Sequence, residues 1–165
     1  MDVSALTGWD SFFIAMAGAA AALAGLIIVA MSVTIKEILA SKALPSRAAA
    51  TISSLVLVLI ASGIVLIPRQ SMVLMGVLVL VATLFALVLQ IVSAVRITQE
   101  RPKRPVMENT YKILFGILQI VPFLVGAVFC MAGNGAGVYW LAAGMLLAIV
   151  YAMVNAWVLL VEVQR

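Results

Sequence analysis

The stretch that decides the class of this protein is residues 12–33, which read FFIAMAGAAAALAGLIIVAMSV. None of these 22 residues is charged, and nearly half of them are Gly or Ala. As an α-helix rising ~1.5 Å per residue, the stretch is about 33 Å long. That length crosses the ~30 Å hydrocarbon core of a bilayer, so residues 12–33 are predicted to form a transmembrane helix.

Small residues are spread unevenly around this predicted helix. At ~100° per residue, Gly18, Ala22 and Gly25 lie on one narrow stripe, which Val29 and Ser32 continue. The opposite side carries the bulky side chains Phe13, Met16, Leu23, Ile27 and Met31. Small residues let another helix approach closely in a membrane. We therefore expect a helix to pack on the stripe, either from the same chain, which is the commoner arrangement, or from another chain.

The composition extends this conclusion to the whole chain. Its 165 residues are 66% hydrophobic and 10% charged, with a mean hydropathy of +1.28. Soluble domains average about 45–50% apolar and ~25% charged residues, so a water-soluble globular protein is excluded. The net charge of +4 is explained by membrane orientation, as shown below, and no nucleic-acid partner is expected.

Four further apolar runs complete the predicted architecture. The spans are predicted at about 12–33, 48–67, 72–95, 113–132 and 138–161. Leu44-Pro45 is expected to stop the helix that continues beyond the first span, and Ser46 is expected to cap the next one. Residues 133–137, Gly-Asn-Gly-Ala-Gly, predict a tight turn. The predicted fold class is all-α, a polytopic five-helix transmembrane bundle that forms a single domain over residues 1–165.

The basic residues predict the orientation of the bundle. With the N-terminus outside, nine Lys and Arg residues lie on the cytoplasmic side and only Arg69 lies on the outer side. The nine are Lys36, Lys42, Arg47, Arg96, Arg101, Lys103, Arg104, Lys112 and Arg165. The positive-inside rule therefore favours an N-out, C-in topology with an odd number of spans. Aromatic residues agree, because Trp9 and Trp140 lie at the predicted outer face and Trp157 lies toward the inner one.

Several of these basic residues belong to the loop between the third and fourth spans. They are Arg96, Arg101, Lys103, Arg104 and Lys112. Pro102 and Pro105 are expected to keep the loop irregular. The loop is predicted to contact anionic lipid headgroups of the inner leaflet. The alternative is a docking site for an acidic protein partner.

Ionisable side chains are missing from the predicted spans, and the chain has no histidine. Proton relays, voltage sensors and ion-coupled transporters normally need such groups at membrane depth. The sequence also lacks a metal-ligand cluster, a nucleotide-binding loop and a nucleophile–base pair. Cys130 is the only cysteine and can form no intrachain disulfide. We therefore expect neither enzymatic activity nor a cofactor or metal site.

Neutral polar residues are predicted to share one layer of the bundle, ~7–10 Å below the cytoplasmic boundary. They are Ser53, Ser54, Gln90, Gln119 and Asn155. Buried amides can hydrogen-bond between helices, or they can line a polar constriction or pocket. The network is the favoured alternative, because three amides suffice for it but line a pore sparsely. Pro122 is expected to leave the Leu118 carbonyl without a helical donor beside Gln119.

A resemblance to a known group of proteins is carried by residues 12–40, FFIAMAGAAAALAGLIIVAMSVTIKEILA, and by residues 43–48, ALPSRA. They resemble the opening of small, uncharacterised multi-pass membrane proteins of bacteria. The resemblance implies a multi-pass protein of the bacterial plasma (inner) membrane. It implies no mechanism and no functional residues, because that family has no activity to carry over.

The sequence therefore supports two functions from different classes. The first is a non-enzymatic integral membrane protein that acts through helix–helix association, as a homo-oligomer or as an accessory subunit of a membrane complex. The alternative is a passive oligomeric channel or facilitator for a small solute or ion, with the neutral polar layer as its constriction. The first predicts amides satisfied inside the chain, and the second predicts amides that line a water-accessible path.

Overall fold

The structure, a computed structural model, describes residues 8–33, 35–36, 43–100 and 116–163. These residues form five main helices and no strand. The helices are α1 (Asp10–Val33), α2 (Ala43–Val65), α3 (Met72–Glu100), α4 (Ile120–Met131) and α5 (Ala136–Val163). The predicted all-α bundle is confirmed.

Four helices are long and apolar enough to cross a membrane. The apolar stretches are Asp10–Val33, Leu44–Val65, Met72–Val95 and Ala136–Val158. The remaining one, Gly116–Met131, is shorter within the described residues. The exposed side chains of these helices are largely apolar and need a hydrocarbon environment. The chain is therefore a multi-pass membrane protein.

The start of α2 differs from the prediction. The helix begins at Ala43, so Pro45 lies within its first turn instead of before it. Proline is tolerated there because the first N–H groups of a helix have no helical acceptor. Ser46 is therefore inside the helix and does not cap it, and its Oγ is buried without a hydrogen-bond partner among the described residues.

The end of α3 also differs from the prediction. The helix continues to Glu100, five residues beyond the predicted span, and it includes Arg96 of the predicted basic loop. The other predicted headgroup contacts, Arg101, Lys103, Arg104 and Lys112, lie outside the described residues.

A short turn joins α2 to α3 and makes them an antiparallel hairpin. Ser71 caps α3, because its Oγ accepts from the Leu74 N–H at 3.2 Å. The Gln70 side-chain amide donates back to the Ile64 carbonyl. Arg69 adopts a φ of 59°, in the left-handed region that a tight reversal requires.

The turn between α4 and α5 agrees with the predicted Gly-Asn-Gly motif. Gly133 has a φ of 74°, a conformation that glycine adopts without a steric penalty. The Asn134 N–H donates to the Phe129 carbonyl at 2.9 Å, which closes α4. The Asn134 Oδ1 accepts from the Ala136 N–H at 2.9 Å, which begins α5.

Helix α2 is the centre of the bundle. It packs against α1, α3 and α5, whereas α4 packs between α3 and α5. Of the most apolar 18-residue stretch of each helix, 61% is buried in α2 but only 22% in α1. The core contains large side chains from every helix, including Phe13, Leu55, Met75, Phe123, Leu141 and Met145. Helix α1 is therefore a peripheral element that rests mainly on α2.

The bulky side of α1 faces the bundle, and its small-residue stripe faces away. Phe13 is fully buried and Met16 is 7% exposed, whereas Gly18, Ala22 and Gly25 are exposed. This orientation corrects the expectation that a helix of the same chain covers the stripe. The bulky side is used because large side chains fill the space against α2 and make more dispersion contacts there.

Close helix packing occurs instead at glycines of α3, α4 and α5. A Cβ added to Gly137 would lie 2.5 Å from Cys130 Sγ and 2.7 Å from the Gly126 carbonyl oxygen. A Cβ added to Gly76 would lie 2.7 Å from the Ala127 carbonyl oxygen. We call Gly76, Gly126 and Gly137 the glycine seam. Backbones approach so closely there that no side chain fits.

Aromatic rings join the beginning of α1 to the beginning of α5. Trp9 packs edge-on against Phe12 and Tyr139, with ring centroids 5.5 and 4.9 Å away. Phe13 extends the cluster into the core, with its ring 5.4 Å from that of Phe12. Edge-to-face geometry is the favourable arrangement for such rings. The cluster fastens α1 at the end that is predicted to lie outside.

Candidate functional site

Four polar side chains from four different helical segments meet inside the bundle. They are Ser54 of α2, Gln90 of α3, Gln119 immediately before α4, and Tyr151 of α5. The exposed fractions are 2% for Ser54, 6% for Gln90 and 3% for Gln119. We call these four residues the polar cluster. It links every helix of the bundle except α1.

Ser54 is the hub of the polar cluster. Its Oγ accepts from Gln90 Nε2 at 2.8 Å and from Gln119 Nε2 at 2.9 Å. The same hydroxyl donates to the Ala50 carbonyl, one turn earlier in α2, at 3.1 Å. A serine hydroxyl has one donor and two acceptor positions. All three are used, so Ser54 is fully satisfied.

Gln90 extends the cluster from α2 to α5. Its Nε2 lies 3.2 Å from the Ala50 carbonyl in addition to its bond with Ser54. Its Oε1 accepts from the Tyr151 hydroxyl at 3.2 Å. Both ends of the amide therefore have partners on different helices. Side-chain amides placed in this way set the rotation and the register of the helices that they join.

Gly116 leaves the room in which Gln90 and Tyr151 meet. A Cβ added at Gly116 would lie 3.2 Å from the Tyr151 hydroxyl oxygen and 3.3 Å from Gln90 Oε1. These distances are tighter than ordinary carbon–oxygen contacts. The glycine therefore lets the segment before α4 approach this hydrogen bond without displacing it.

Gln119 is the one member of the cluster with an unused hydrogen-bonding atom. Its Oε1 is buried and has no partner among the described residues. The backbone of Gln119 stays helical, with φ −65° and ψ −27°, between the helix over residues 116–118 and the helix that begins at Ile120. Pro122 follows and has no N–H for the Leu118 carbonyl, as predicted from the sequence. An unpaired acceptor in a membrane interior is costly.

Two of the predicted polar residues lie outside the cluster. Ser53 is half-buried, and its Oγ donates to the Ala50 carbonyl of its own helix at 3.2 Å. Asn155 is half-buried and makes no side-chain hydrogen bond with the described residues. The structure thus places Ser54, Gln90 and Gln119 together but keeps Ser53 and Asn155 apart from them.

Sequence reasoning missed Tyr151, which takes the place expected for Asn155. The two residues are one helical turn apart, so they share a face of α5. Helix α5 ends at Val163, two residues beyond the predicted span. Counting from Val163 would move the layer away from Tyr151, so the later helix end does not explain the miss. The count selected one polar residue of α5, whereas the cluster uses the polar residue that lies a turn deeper. Counting neutral polar residues one turn on either side of the layer would have included Tyr151.

The polar cluster can hold helices together, but it offers little chemistry. Its members are a hydroxyl, two amides and a phenol, and the Ser54 hydroxyl donates to backbone and not to a general base. Among the described residues, no group of three or more His, Cys, Asp or Glu could hold a metal ion. The arrangement is suited to interhelical hydrogen bonding.

A second candidate site is the outward stripe of α1, formed by Gly18, Ala22, Gly25, Val29 and Ser32. We call it the α1 outer face. A Cβ added at Gly18 or Gly25 would meet nothing within 4 Å. The Ser32 hydroxyl donates to the Val29 carbonyl at 2.7 Å, so it needs no partner from outside. The face is therefore smooth, apolar and self-sufficient in hydrogen bonds.

Comparison with known proteins adds no family to this description. The chain matches no protein-family model, no curated protein and no solved structure. The function is therefore argued from the residues and their geometry, and the resemblance of residues 12–48 to bacterial multi-pass proteins stays a prediction.

Proposed function

We propose that this chain is a non-enzymatic integral protein of the bacterial plasma membrane that acts through helix–helix association. It associates through the α1 outer face, with a second copy of itself or with a helix of a larger membrane complex. The observation that carries the proposal is that the small residues of α1 are turned away from the bundle and are not covered by any of the described residues. Small residues are the ones that membrane helices use to approach each other.

The contrast with the rest of the outer surface supports this choice. Although single small residues such as Gly63 are also exposed elsewhere, many lipid-facing positions carry large side chains, such as Val81, Phe85 and Val154, which are 61%, 69% and 57% exposed. Such residues keep a neighbouring backbone at a distance. Gly18 and Gly25 allow a backbone to approach, because their outer surface is open. A lipid chain gains no advantage from glycine, whereas a helix does.

The closed state of the polar cluster supports association over conduction. Ser54 and both ends of Gln90 are engaged inside the chain, so these groups are not free to coordinate a solute. The alternative, a passive channel or facilitator, needs a polar path between copies. The α1 outer face contributes only Ser32 to such a path, and its hydroxyl already donates to Val29.

The orientation and location of the proposed assembly follow from the distribution of charge. An N-out, C-in topology keeps nine of the ten Lys and Arg residues on the cytoplasmic side. It also places the aromatic cluster of Trp9 and Tyr139 at the outer membrane boundary. Both features favour a plasma membrane with an anionic inner leaflet.

Oligomeric state in lipid nanodiscs tests the proposal, measured by native mass spectrometry over a range of protein concentrations. We expect a dimer or higher oligomer, or a stoichiometric partner, for the unmodified chain. Gly25→Leu should abolish this association, because the added side chain holds the approaching helix away.

The matched control is Gly63→Leu on α2. Gly63 is also exposed, and a Cβ added there meets nothing within 4 Å. It should leave the association unchanged. A monomer without any partner at every concentration, or equal loss in both variants, would overturn the proposal.

A further inference from the structure

An apolar groove runs between α1 and α5 on the lipid-facing side of the bundle. Its volume is about 410 Å³, within the ~300–1,000 Å³ typical of small-molecule sites. Nine residues line it, and all of them are Leu, Ile, Ala, Met or Trp. Apart from the indole N–H of Trp157 at one end, these side chains offer a polar ligand no hydrogen-bond partner. The occupant must therefore be hydrocarbon.

The groove exists because α1 and α5 are joined at one end only. The rings of Trp9 and Tyr139 hold the two helices together where they begin. Contacts between α1 and α5 are otherwise few, since α1 rests on α2. The opposite ends separate, and the gap lies between residues 23–31 of α1 and residues 152–157 of α5.

The dimensions of the groove match one leaflet. Residues 23–31 rise about 12 Å along α1, against ~15 Å for half of a hydrocarbon core. Trp157 lies at the end of the groove farthest from Trp9 and is 68% exposed. Tryptophan is enriched at the membrane–water interface, so the groove runs from that boundary toward the membrane centre.

The rim of the groove disfavours a second transmembrane helix as its occupant. Leu26, Met153 and Trp157 flank it and are 67%, 55% and 68% exposed. These large side chains prevent a neighbouring backbone from approaching, whereas helix pairs prefer small residues. A single hydrocarbon chain is thin enough to enter between them. The flexible side chains of Met31 and Met153 can adapt to its shape.

We propose that this groove binds one acyl chain of a phospholipid from the leaflet that contains Trp157. The chain fills the gap between α1 and α5 and so completes the packing of α1 on the bundle. The site is separate from the α1 outer face, so it does not depend on the proposed association.

Photo-crosslinking tests this proposal with the full chain in vesicles. The vesicles contain phosphatidylethanolamine, phosphatidylglycerol and a trace of phosphatidylethanolamine with a diazirine on one acyl chain. Mass spectrometry then maps the crosslinked residues. We expect residues 23–31 and 152–157 to be labelled several-fold more than exposed positions outside any groove, such as Val81 and Val128. Uniform labelling of all exposed positions would overturn the proposal.

Groove-filling variants sharpen the test. Ala156→Leu places a larger side chain in the groove and should reduce the enhanced labelling to the level of the general surface. Ala30→Leu fills it from α1 and should do the same if Ala156→Leu does not fold. The control is Ala143→Leu, an exposed position of α5 outside the groove.

Two outcomes count against an acyl chain. Enhanced labelling that survives both filling variants would show that the lipid is not held in the groove. Labelling of residues 152–157 below the level of the general surface would show that no acyl chain occupies the groove. Loss of association in Gly25→Leu with unchanged lipid labelling would separate this site from the proposed function.

Discussion

Glycines on α1 and glycines on α4 and α5 occupy similar sequence contexts but opposite environments. Gly18 and Gly25 lie in an uncharged helix with open space around them. Gly126 and Gly137 lie in equally apolar helices, yet each has backbone atoms of the other within 3 Å of an added Cβ. The first pair makes a surface that a neighbour could use, and the second pair makes a contact that is already used.

This difference shows that a pattern of small residues in a helix does not by itself identify what packs against it. In water, burial of apolar area would select which side of a helix turns inward. In a bilayer, lipid tails are as apolar as Leu, so both sides of α1 are acceptable to the solvent. The choice is made by shape, and Phe13, Met16 and Ile27 fit the surface of α2 better than a smooth stripe would.

The largest effect is expected for Gly137→Ala in the glycine seam. The new methyl group would lie 2.5 Å from Cys130 Sγ and 2.7 Å from the Gly126 carbonyl oxygen, and backbone atoms cannot move aside. Overpacking of this kind destabilises by about 3 kcal/mol. The free energy of unfolding in mixed detergent micelles, followed by circular dichroism, measures it. Gly63→Ala is the control. Equal stability of the two variants would contradict the close backbone contact at the glycine seam.

Ser53 and Ser54 are adjacent on α2, but only Ser54 belongs to the polar cluster. Ser54→Ala removes the hub that accepts from both Gln90 and Gln119, leaving two buried donors with fewer partners. We expect a loss of about 2 kcal/mol in the free energy of unfolding. Ser53→Ala loses only a bond to its own helix and should change stability by less than ~0.5 kcal/mol. Similar losses in both would mean that the cluster does not join the helices.

A smaller effect is expected for Tyr151→Phe, which removes one member of the polar cluster but keeps the ring. The variant loses the bond from the Tyr151 hydroxyl to Gln90 Oε1. Interhelical bonds in membranes contribute ~0.6–1.7 kcal/mol each, so the loss should be about 1 kcal/mol. The double variant with Ser54→Ala should lose less than the sum of the two. Strict additivity would show that the two bonds are independent.

The smallest effect on folding is expected for Gly25→Leu on the α1 outer face. The added Cβ meets no atom of the described residues within 4 Å, and replacing glycine favours the helix. The free energy of unfolding of the monomer should therefore stay within ~0.5 kcal/mol of the unmodified value. The same detergent titration measures it. A large loss would show that a helix of the same chain packs on this face.

The polar cluster shows where sequence reasoning reaches and where it stops. Depth along each helix follows from residue counting, so Ser54, Gln90 and Gln119 could be placed in one layer. Rotation about each helix axis does not follow, and it is rotation that turns Ser53 toward its own backbone and Ser54 toward its neighbours. Tyr151 lies one turn farther from the cytoplasmic end of α5 than Asn155, so a depth count that admits a single layer passes over it.

Helix ends show the same division between local and tertiary causes. The Gly-Asn-Gly turn before α5 is determined by backbone conformation at Gly133 and by the Asn134 side chain, and both are local. The extension of α3 to Glu100 is not visible in hydropathy, since its last residues are polar. The Leu44-Pro45 pair predicts a helix stop, although proline is compatible with a first helical turn and α2 begins at Ala43.

The sequence by itself determined that this is a helical membrane protein, because residues 12–33 and the later apolar runs cannot be dissolved in water and lipid accepts only satisfied backbone. It also predicted that Ser54, Gln90 and Gln119 share one layer of the bundle. Only the tertiary structure decided which faces meet, placing α2 at the centre, the small residues of α1 on the outside and the seam glycines against each other. The physical reason is that hydrophobicity cannot distinguish a lipid neighbour from a protein neighbour, whereas shape and hydrogen bonding can.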